Sequence, residues 1–376
     1  MAERGGSDQA LLRLVGQLSA VGWRCHVALP QPSPMADELA AAGAQLHVVA
    51  MRRLSTSHRP RDWAAYLLNW PISVVRLWRL ARRVGADVVH SNSLHCWYGW
   101  AAALLAGRPH VWHAREMVAQ SRLALRVEQL LARHFATRVL AVSKAVAAQL
   151  ARANVQVVTE EADPATFFPG RAGRARPRYG LADDALVAGY VGRVDTWKGV
   201  DVLLDAVPAL GTTQVVVAGG PVAGKEEYFA SLAGRASALG VTWLGPLPGP
   251  EAADLVADLD CLVYPSTTPE PFGLALVEAL ACGVPVVSTD AGGPCEILAG
   301  LPTSAGRLVP PNDAPALAQA VLQLLPATTS TQSRRERPVL RRGPPPPYPE
   351  IFGQVLAEAQ ASRGTAAGRG TAAGRP

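Results

Sequence analysis

Cysteine is scarce and carries no pattern. Cys25, Cys96, Cys261, Cys282 and Cys295 are scattered, odd in number and never spaced as Cys-x-x-Cys. A disulfide framework or a thiolate zinc site is therefore not expected, whereas free thiols in a reducing cytosol are. Long apolar runs are missing too. The longest uncharged run beside a basic cluster, Trp63–Val75, is interrupted by Asn69 and Pro71 and falls short of the ~20 residues that cross a bilayer. Arg76, Arg79, Arg82 and Arg83 follow it. A surface helix packed on its own domain is the preferred reading of this run, and peripheral contact of the N-terminal domain with the inner face of a membrane stays open. No signal peptide is read at the N-terminus, so a cytoplasmic protein is expected. A strong excess of one charge is also absent. Most of the formal +6 sits in the C-terminal tail, where eight Arg face three Glu from Thr331 onward. The remainder is nearly neutral and carries no nucleic-acid signature, so nucleic acid is not an expected partner.

What the chain does contain is alternation. At 376 residues and ~150 residues per domain, two domains are expected. After a turn at Met1–Asp8, helix Gln9–Ala20 precedes strand Arg24–Leu29. Strands follow at Gln45–Val49, Asp87–His90, His110–His113, Arg138–Val142 and Val155–Val158, with helices between them. This order implies a parallel sheet covered on both faces. A βαβ half should begin with a strand, and this one begins on the loop after one. Either the true start lies upstream, or the first strand is missing and the central position of the N-terminal sheet is vacant. Gly170–Pro177, rich in Arg and Gly, reads as a linker. A second alternation has strands at Leu186–Val191, Gln214–Ala218, Val241–Leu244 and Cys261–Tyr264, and closes with helix Pro315–Leu325. The expected division is residues 1–169, linker 170–177, residues 178–326, and a Pro/Arg/Gly-rich tail over 327–376. The tail is expected to be mostly disordered, apart from one short amphipathic helix at Ile351–Ala361.

The most informative stretch is Tyr264–Cys295, which reads as strand, stiff turn, helix, turn and strand. Pro269 and Pro271 fix the backbone on both sides of Glu270 and hold it on a rigid loop at a strand's end. Gly273 permits close approach of a ligand to the backbone. A helix runs from there to about Cys282, and its free N–H groups suit an anion. Gly283 and Pro285 stop it. Glu278 lies eight residues after Glu270, so two carboxylates and a helix N-terminus converge. The loop Gly192–Gly199 also follows a strand and opens a helix. It carries Arg193 and Lys198, a set suited to a diphosphate, although two solvated cations on a surface loop fit equally well.

Taken together, Gly-Arg-x₄-Lys-Gly from Gly192, Ala-Gly-Gly-Pro from Ala218, and Pro-Glu-Pro-Phe-Gly-x₄-Glu-Ala-x-Ala-x-Gly-x-Pro-Val-Val from Pro269 closely resemble the retaining glycosyltransferases of family 4. The likeness covers roughly residues 4–325, and Gly5-Gly6, Asp87-Val-Val-His90-Ser and His113-Ala-Arg115-Glu116 are similar to that family's acceptor side. The resemblance implies an α/β protein with the GT-B fold, two Rossmann-like doubly wound domains facing across a cleft. The N-terminal domain would be the acceptor side and the C-terminal one the nucleotide-sugar side. It further implies a UDP- or GDP-sugar donor as substrate, no cofactor, no bound metal, and an acceptor (glycan, lipid or small molecule) that the residues do not identify. Arg193 and Lys198 would bind the diphosphate and stabilise it as it leaves. Glu278 would clamp the ribose hydroxyls. The N–H groups of Phe272, Gly273 and Leu274 would reach the sugar or phosphate, and Gly6 would close over the diphosphate. Glu270 and His113 are the catalytic candidates, the first orienting the donor sugar and the second near the anomeric centre. Asp258-Leu-Asp260 matches the metal-binding Asp-x-Asp of other glycosyltransferases but is read as structural, at the end of a helix and the start of a buried strand. Glu160-Glu161 stands at the family's hinge, and proline-rich sequence stands where a C-terminal helix should cross back. A truncated, catalytically silent binding or scaffold protein and a GT-B sugar-nucleotide epimerase are the alternatives.

Overall fold

A computed structural model describes residues 6–32, 35–52, 60–118, 121–150, 154–340 and 346–371. The chain divides into two compact units, one of Ala2–Thr159 with Pro346–Pro376 and the other of Glu160–Pro345.

The N-terminal unit runs α1 (Gly6–Ala20), β1 (Cys25–Leu29), α2 (Ala36–Ala41), β2 (Ala44–Val48), α3 (Pro60–Arg83), β3 (Val89–Ser91), α4 (Tyr98–Ala106), β4 (His110–Ala114), α5 (Arg122–Phe135), β5 (Arg138–Ala141), α6 (Lys144–Gln149) and β6 (Val155–Val157). Ser121 and Ser143 cap α5 and α6, each accepting a hydrogen bond from the N–H three residues on. All ladders are parallel, but they form two sheets: β1 with β2, and β3-β4-β5-β6. The break falls between β1 and β3, at the position expected to be vacant. Burial follows from it. Every residue of β4, an interior strand, is buried, whereas all of β1 is half-buried. α1 serves both pieces. Leu14 and Leu18 pack with Val111, Leu140 and Val158, and Val15 packs with Met35, Leu39 and Ala44.

The C-terminal unit opens with a 3₁₀ turn, Pro169–Arg171. It continues through α7 (Ala175–Tyr179), β7 (Val187–Val191), α8 (Val200–Ala206), β8 (Gln214–Ala218), α9 (Glu226–Ala238), β9 (Thr242–Gly245), α10 (Gly249–Asp258), β10 (Cys261–Tyr264), α11 (Leu274–Ala281), β11 (Val286–Thr289), α12 (Gly293–Leu298), β12 (Gly306–Val309) and α13 (Ala314–Leu324). Its parallel sheet has the order β12-β11-β10-β7-β8-β9. β10 and all of β8 after Gln214 are largely apolar and buried on both faces, as helices on both sides of a parallel sheet require. The chain moves outward from β7 in one direction through β8 and in the other through β10. The loops after β7 and β10 therefore diverge at a topological switch point, where open α/β sheets bind ligands.

Two expectations are corrected. Residues 170–177 are not a linker, and the boundary between units falls after Thr159. Arg171 reaches Asp254 at 2.7 Å, Asp258 accepts the N–H groups of Gly173, Ala175 and Arg176, and Arg176 pairs with Asp260 at 2.8 Å. Arginines of a stretch that read as a linker are partners of carboxylates within the unit, Arg176 fully buried. The tail is not mostly disordered either. α14 (Thr331–Arg335) begins on a Ser330 capping box and packs into the C-terminal unit. Its Arg334 is fully buried and holds Asp183 at 2.5 Å, while Arg337 pairs with Asp260 at 2.6 Å. Beyond it, α15 (Tyr348–Thr371) belongs to the N-terminal unit. Tyr348, Ile351, Phe352 and Val355, at helical spacing, fill the core beside Leu14 and Leu18. The C-terminal helix thought to be replaced by proline-rich sequence is present. Residues 341–345 and 372–376 of the expected disordered stretch lie outside the described residues.

Candidate functional site

The loop after β7 is drawn tightly against the strand end after β10. Gly199 takes the left-handed conformation, φ +69°, and a Cβ there would lie 1.9 Å from the Pro265 carbonyl oxygen, so only glycine lets the two loops touch. Thr267 N–H donates to the Trp197 carbonyl at 2.8 Å beside that contact. The result places Lys198 against the residues after β10. Its Nζ donates to Glu270 Oε2 at 2.7 Å and to the Tyr264 hydroxyl at 2.5 Å, 4.0 Å from the centre of the Trp197 ring. The Ser266 hydroxyl gives Glu270 Oε2 a second bond at 3.0 Å. Both charged side chains are buried.

Glu270 is fixed through its backbone as well. Its N–H donates to Ala291, and its carbonyl accepts from Gly293, tying the Pro269–Pro271 turn to the loop after β11. Gly273, φ 102°, is the N-cap of α11, and Leu274 is that helix's first residue. The opening N–H groups of such a helix have no partner within it and suit an anion. The Phe272 side chain is buried. Glu278 lies half-buried within α11, and its charge is felt at Tyr264. Burial first, then Glu270 and Glu278, drives the Tyr264 hydroxyl well above its usual range, so it stays neutral. Arg193 is exposed at the mouth of the same loop, its carbonyl held by the Tyr190 hydroxyl at 2.6 Å. Arg193 and Lys198 were expected side by side on one diphosphate-binding loop. The structure separates them, one open to solvent and one buried against a carboxylate.

Asp195 organises the loop from behind. It accepts from Thr196 N–H and Trp197 Nε1 and pairs with Lys225, which comes from the segment after β8. Burial raises its carboxyl, but the hydrogen bond and charge of Lys225 outweigh this and hold it below the ordinary value. Asp195, Tyr264, Ser266 and Lys225 were not singled out from the sequence. For Tyr264 and Ser266 a signal was present, polar groups at the end of a buried strand beside Glu270. For Lys225 there was none.

Gly6 and His113 belong to the N-terminal unit. Gly6 is the first residue of α1, and Gly5 lies outside the described residues. Next to it, the Ser7 carbonyl accepts from Asn92, whose Oδ1 accepts from Arg115 Nε at 2.9 Å, and Glu116 accepts the Leu94 N–H. The polar loops after β3 and β4 thus meet at the start of α1. His113 is not on that surface. Its ring is wholly buried, with Arg115 Nη2 3.1 Å from Nδ1 and Tyr348 of α15 and His90 packed against its sides. Burial, then Arg115 and His90, push it well below the usual imidazole range, so it is neutral. Asp258 and Asp260 are fully buried and engaged by Gly173, Arg176, Thr329 and Arg337, as a structural reading requires. Among the described residues no cluster of His, Cys, Asp and Glu could hold a metal ion, and no helix is long and apolar enough to cross a membrane.

Known proteins resemble the chain in sequence and fold. A family model described as glycosyl transferase 4-like domain matches residues 5–178, and one described as glycosyl transferases group 1 matches residues 185–326. A D-inositol 3-phosphate glycosyltransferase of Saccharomonospora viridis is 31% identical over 325 residues, 74% of this chain and 72% of its own length. One of Stackebrandtia nassauensis is 36% identical over 240 residues, 55% of this chain and 53% of its own. The chain spans about half the length of the first curated relatives it matches. Among solved structures, Anabaena HepE in complex with UDP and glucose superposes with a TM-score of 0.75 at 24% identity, over 98% of this chain and 97% of that one. Sucrose-phosphate synthase of Thermosynechococcus elongatus does so with a TM-score of 0.68 at 22% identity, over 97% and 94%. By sequence and by fold, the chain belongs to the group 1 glycosyltransferases, family 4, with the GT-B architecture.

Proposed function

We propose that the chain transfers a sugar from a nucleotide-sugar donor to an acceptor hydroxyl with retention of anomeric configuration. The observation that carries the proposal is the Lys198–Glu270 pair, held at the switch point beside the N-terminus of α11 with Arg193 and Glu278 at hand. Arg193 and the first N–H groups of α11 take the donor diphosphate. Lys198 shares its ammonium between Glu270 and the phosphate oxygens and stabilises the charge that grows there as the bond to the sugar breaks. Glu270 orients the sugar hydroxyls, and Glu278 accepts the ribose hydroxyls. In a front-face course, the bond from the anomeric carbon to the leaving phosphate oxygen breaks and the bond to the acceptor oxygen forms on the same face. The acceptor proton passes to that phosphate oxygen. His113, buried and neutral, is assigned a positioning role toward Arg115 and the acceptor-side loops. A UDP-sugar is the proposed donor, because HepE is described with UDP and with UDP-glucose; a GDP-sugar is the alternative.

Calorimetric titration with UDP and GDP tests the donor site. Lys198→Ala and Glu278→Ala are each expected to weaken binding of the preferred nucleotide about tenfold or more, the loss of one charge-assisted contact. Unchanged affinity in both variants sinks the assignment. Slow hydrolysis of the matching nucleotide sugar, followed by NMR, should release first the anomer of the donor's own configuration. Release of the opposite anomer overturns retention.

A further inference from the structure

α3, α4 and α5 form one helical layer of the N-terminal unit, joined by a seam of aromatic rings. Trp70 of α3 lies 5.9 Å from Trp100 of α4, which stacks on Phe135 of α5 at 4.3 Å. The outer side of this layer has an unusual composition. On α3, exposed positions recur every three or four residues as Ala64, Leu68, Ile72, Arg76, Arg79 and Arg83. Leu67, Leu68 and Ile72 are 64%, 74% and 52% exposed. α4 adds exposed Leu104 and Leu105, and α5 adds exposed Leu123 and Leu130 among exposed Arg122, Arg126 and Arg133. Glu128 is the sole carboxylate among the described side chains of the three helices. It is buried and held by His95 at 2.7 Å. Large aliphatic side chains and arginines share the outer side, with no exposed acid between them among the described side chains.

We propose that this outer side docks on an anionic phospholipid bilayer, with the leucines and Ile72 entering the headgroup boundary and the arginines meeting lipid phosphates. The pairing of the two features selects the occupant. A polyanion such as nucleic acid would neutralise the arginines and leave the aliphatic side chains in water. A second copy seated on the same face would bring two arginine-bearing surfaces together with no exposed acid on either described side to pair them. A bilayer with negative headgroups satisfies both at once, with charges at the surface and alkyl groups beneath. The surface lies outside the donor-site residues, so the proposal stands or falls independently of the glycosyltransferase reading.

The test is sedimentation of the full chain with phosphatidylcholine vesicles, with and without phosphatidylglycerol. Binding is expected with phosphatidylglycerol only and should weaken as salt is raised. Leu68→Ser/Ile72→Ser and Arg76→Glu/Arg79→Glu should each lower the vesicle-bound fraction roughly tenfold or more, while melting and UDP affinity stay those of the parent. If the first variant melts early, the second, which changes charge alone, decides. Equal binding to neutral vesicles, no binding to either, or full binding by both variants overturns the proposal. So does a wild-type dimer that Leu68→Ser/Ile72→Ser converts to a monomer, which would assign the face to a second copy.

Discussion

Replacing Lys198 by methionine tests the centre of the site. Methionine keeps an unbranched side chain of similar reach and removes the ammonium. Lys198 and Glu270 are 2.7 Å apart, with side chains only 6% and 9% exposed. Without the cation, Glu270 keeps the Ser266 hydroxyl as its side-chain donor, and Tyr264 loses the donor to its hydroxyl. Breaking a buried pair from one side costs ~3–5 kcal/mol, because a charge is stranded. At ~2–4 °C per kcal/mol for a unit of this size, melting should fall by roughly 6–20 °C. Glu270→Gln strands the ammonium and should cost a similar amount. Lys198→Met/Glu270→Gln strands nothing and should return to within ~1–2 kcal/mol of the parent, so the two losses fail to add. Thermal melts followed by circular dichroism on the four proteins close the cycle. Adding UDP should raise the parent's melting temperature and raise that of both Lys198→Met proteins by less. The reasoning is refuted if Lys198→Met melts within about 2 °C of the parent, or if the double variant loses the sum of the singles.

Three further outcomes are expected. Gly199→Ala must place a Cβ 1.9 Å from the Pro265 carbonyl oxygen at φ +69°; the loops separate, stability falls by at least about 2 kcal/mol, and UDP affinity in titration falls with it. Asp260→Ala strands Arg176 and Arg337 and should cost ~3–5 kcal/mol, with proteolysis at 331–340 accelerated as the first sign. The third concerns pH. Burial lowers His95, but the hydrogen bond and charge of Glu128 outweigh it and raise it above the usual imidazole value. Its protonated form is therefore favoured by folding. That contribution is full below an unfolded value of about 6.5 and is lost as pH rises through the folded one. Melting scans should show the parent losing stability as pH rises past about 6.5 and His95→Gln losing less over the same interval.

The loops of the candidate site were legible because their signals are local. Pro269 and Pro271 stiffen Glu270 whatever surrounds them, Gly273 opens a helix, and Gly192–Gly199 lies between a strand and a helix. The pairing of Lys198 with Glu270 was not legible, since it depends on how closely Gly199 lets two distant loops approach. The tail was misread for the same reason. Whether Arg334 and Arg337 are solvated depends on Asp183 and Asp260, which lie far earlier in the chain. A basic, proline-rich composition carries no trace of them. α12 and β12 were passed over because Gly306–Val309 is four residues long at a sheet edge, too short for a periodic signal. His113 was placed correctly at the end of β4, but Tyr348, which covers it, lies just before the helix expected at Ile351–Ala361, in a stretch read as disordered.

The break between β1 and β3 also divides the N-terminal unit as a folding system. No ladder hydrogen bond links the described β1–β2 pair to β3-β4-β5-β6. The two are held by side chains of α1, with Phe352 of α15 meeting Trp23 just before β1 edge-on at 6.1 Å. Side-chain packing yields more gradually than a continuous ladder, so residues 6–32 and 35–48 are expected to open together while β4 and β5 stay protected. Amide hydrogens of Cys25–Leu29 should exchange together with those of Ala44–Val48, well ahead of His110–Ala114. A ligand that clamps the start of α1 would slow that exchange from a distance.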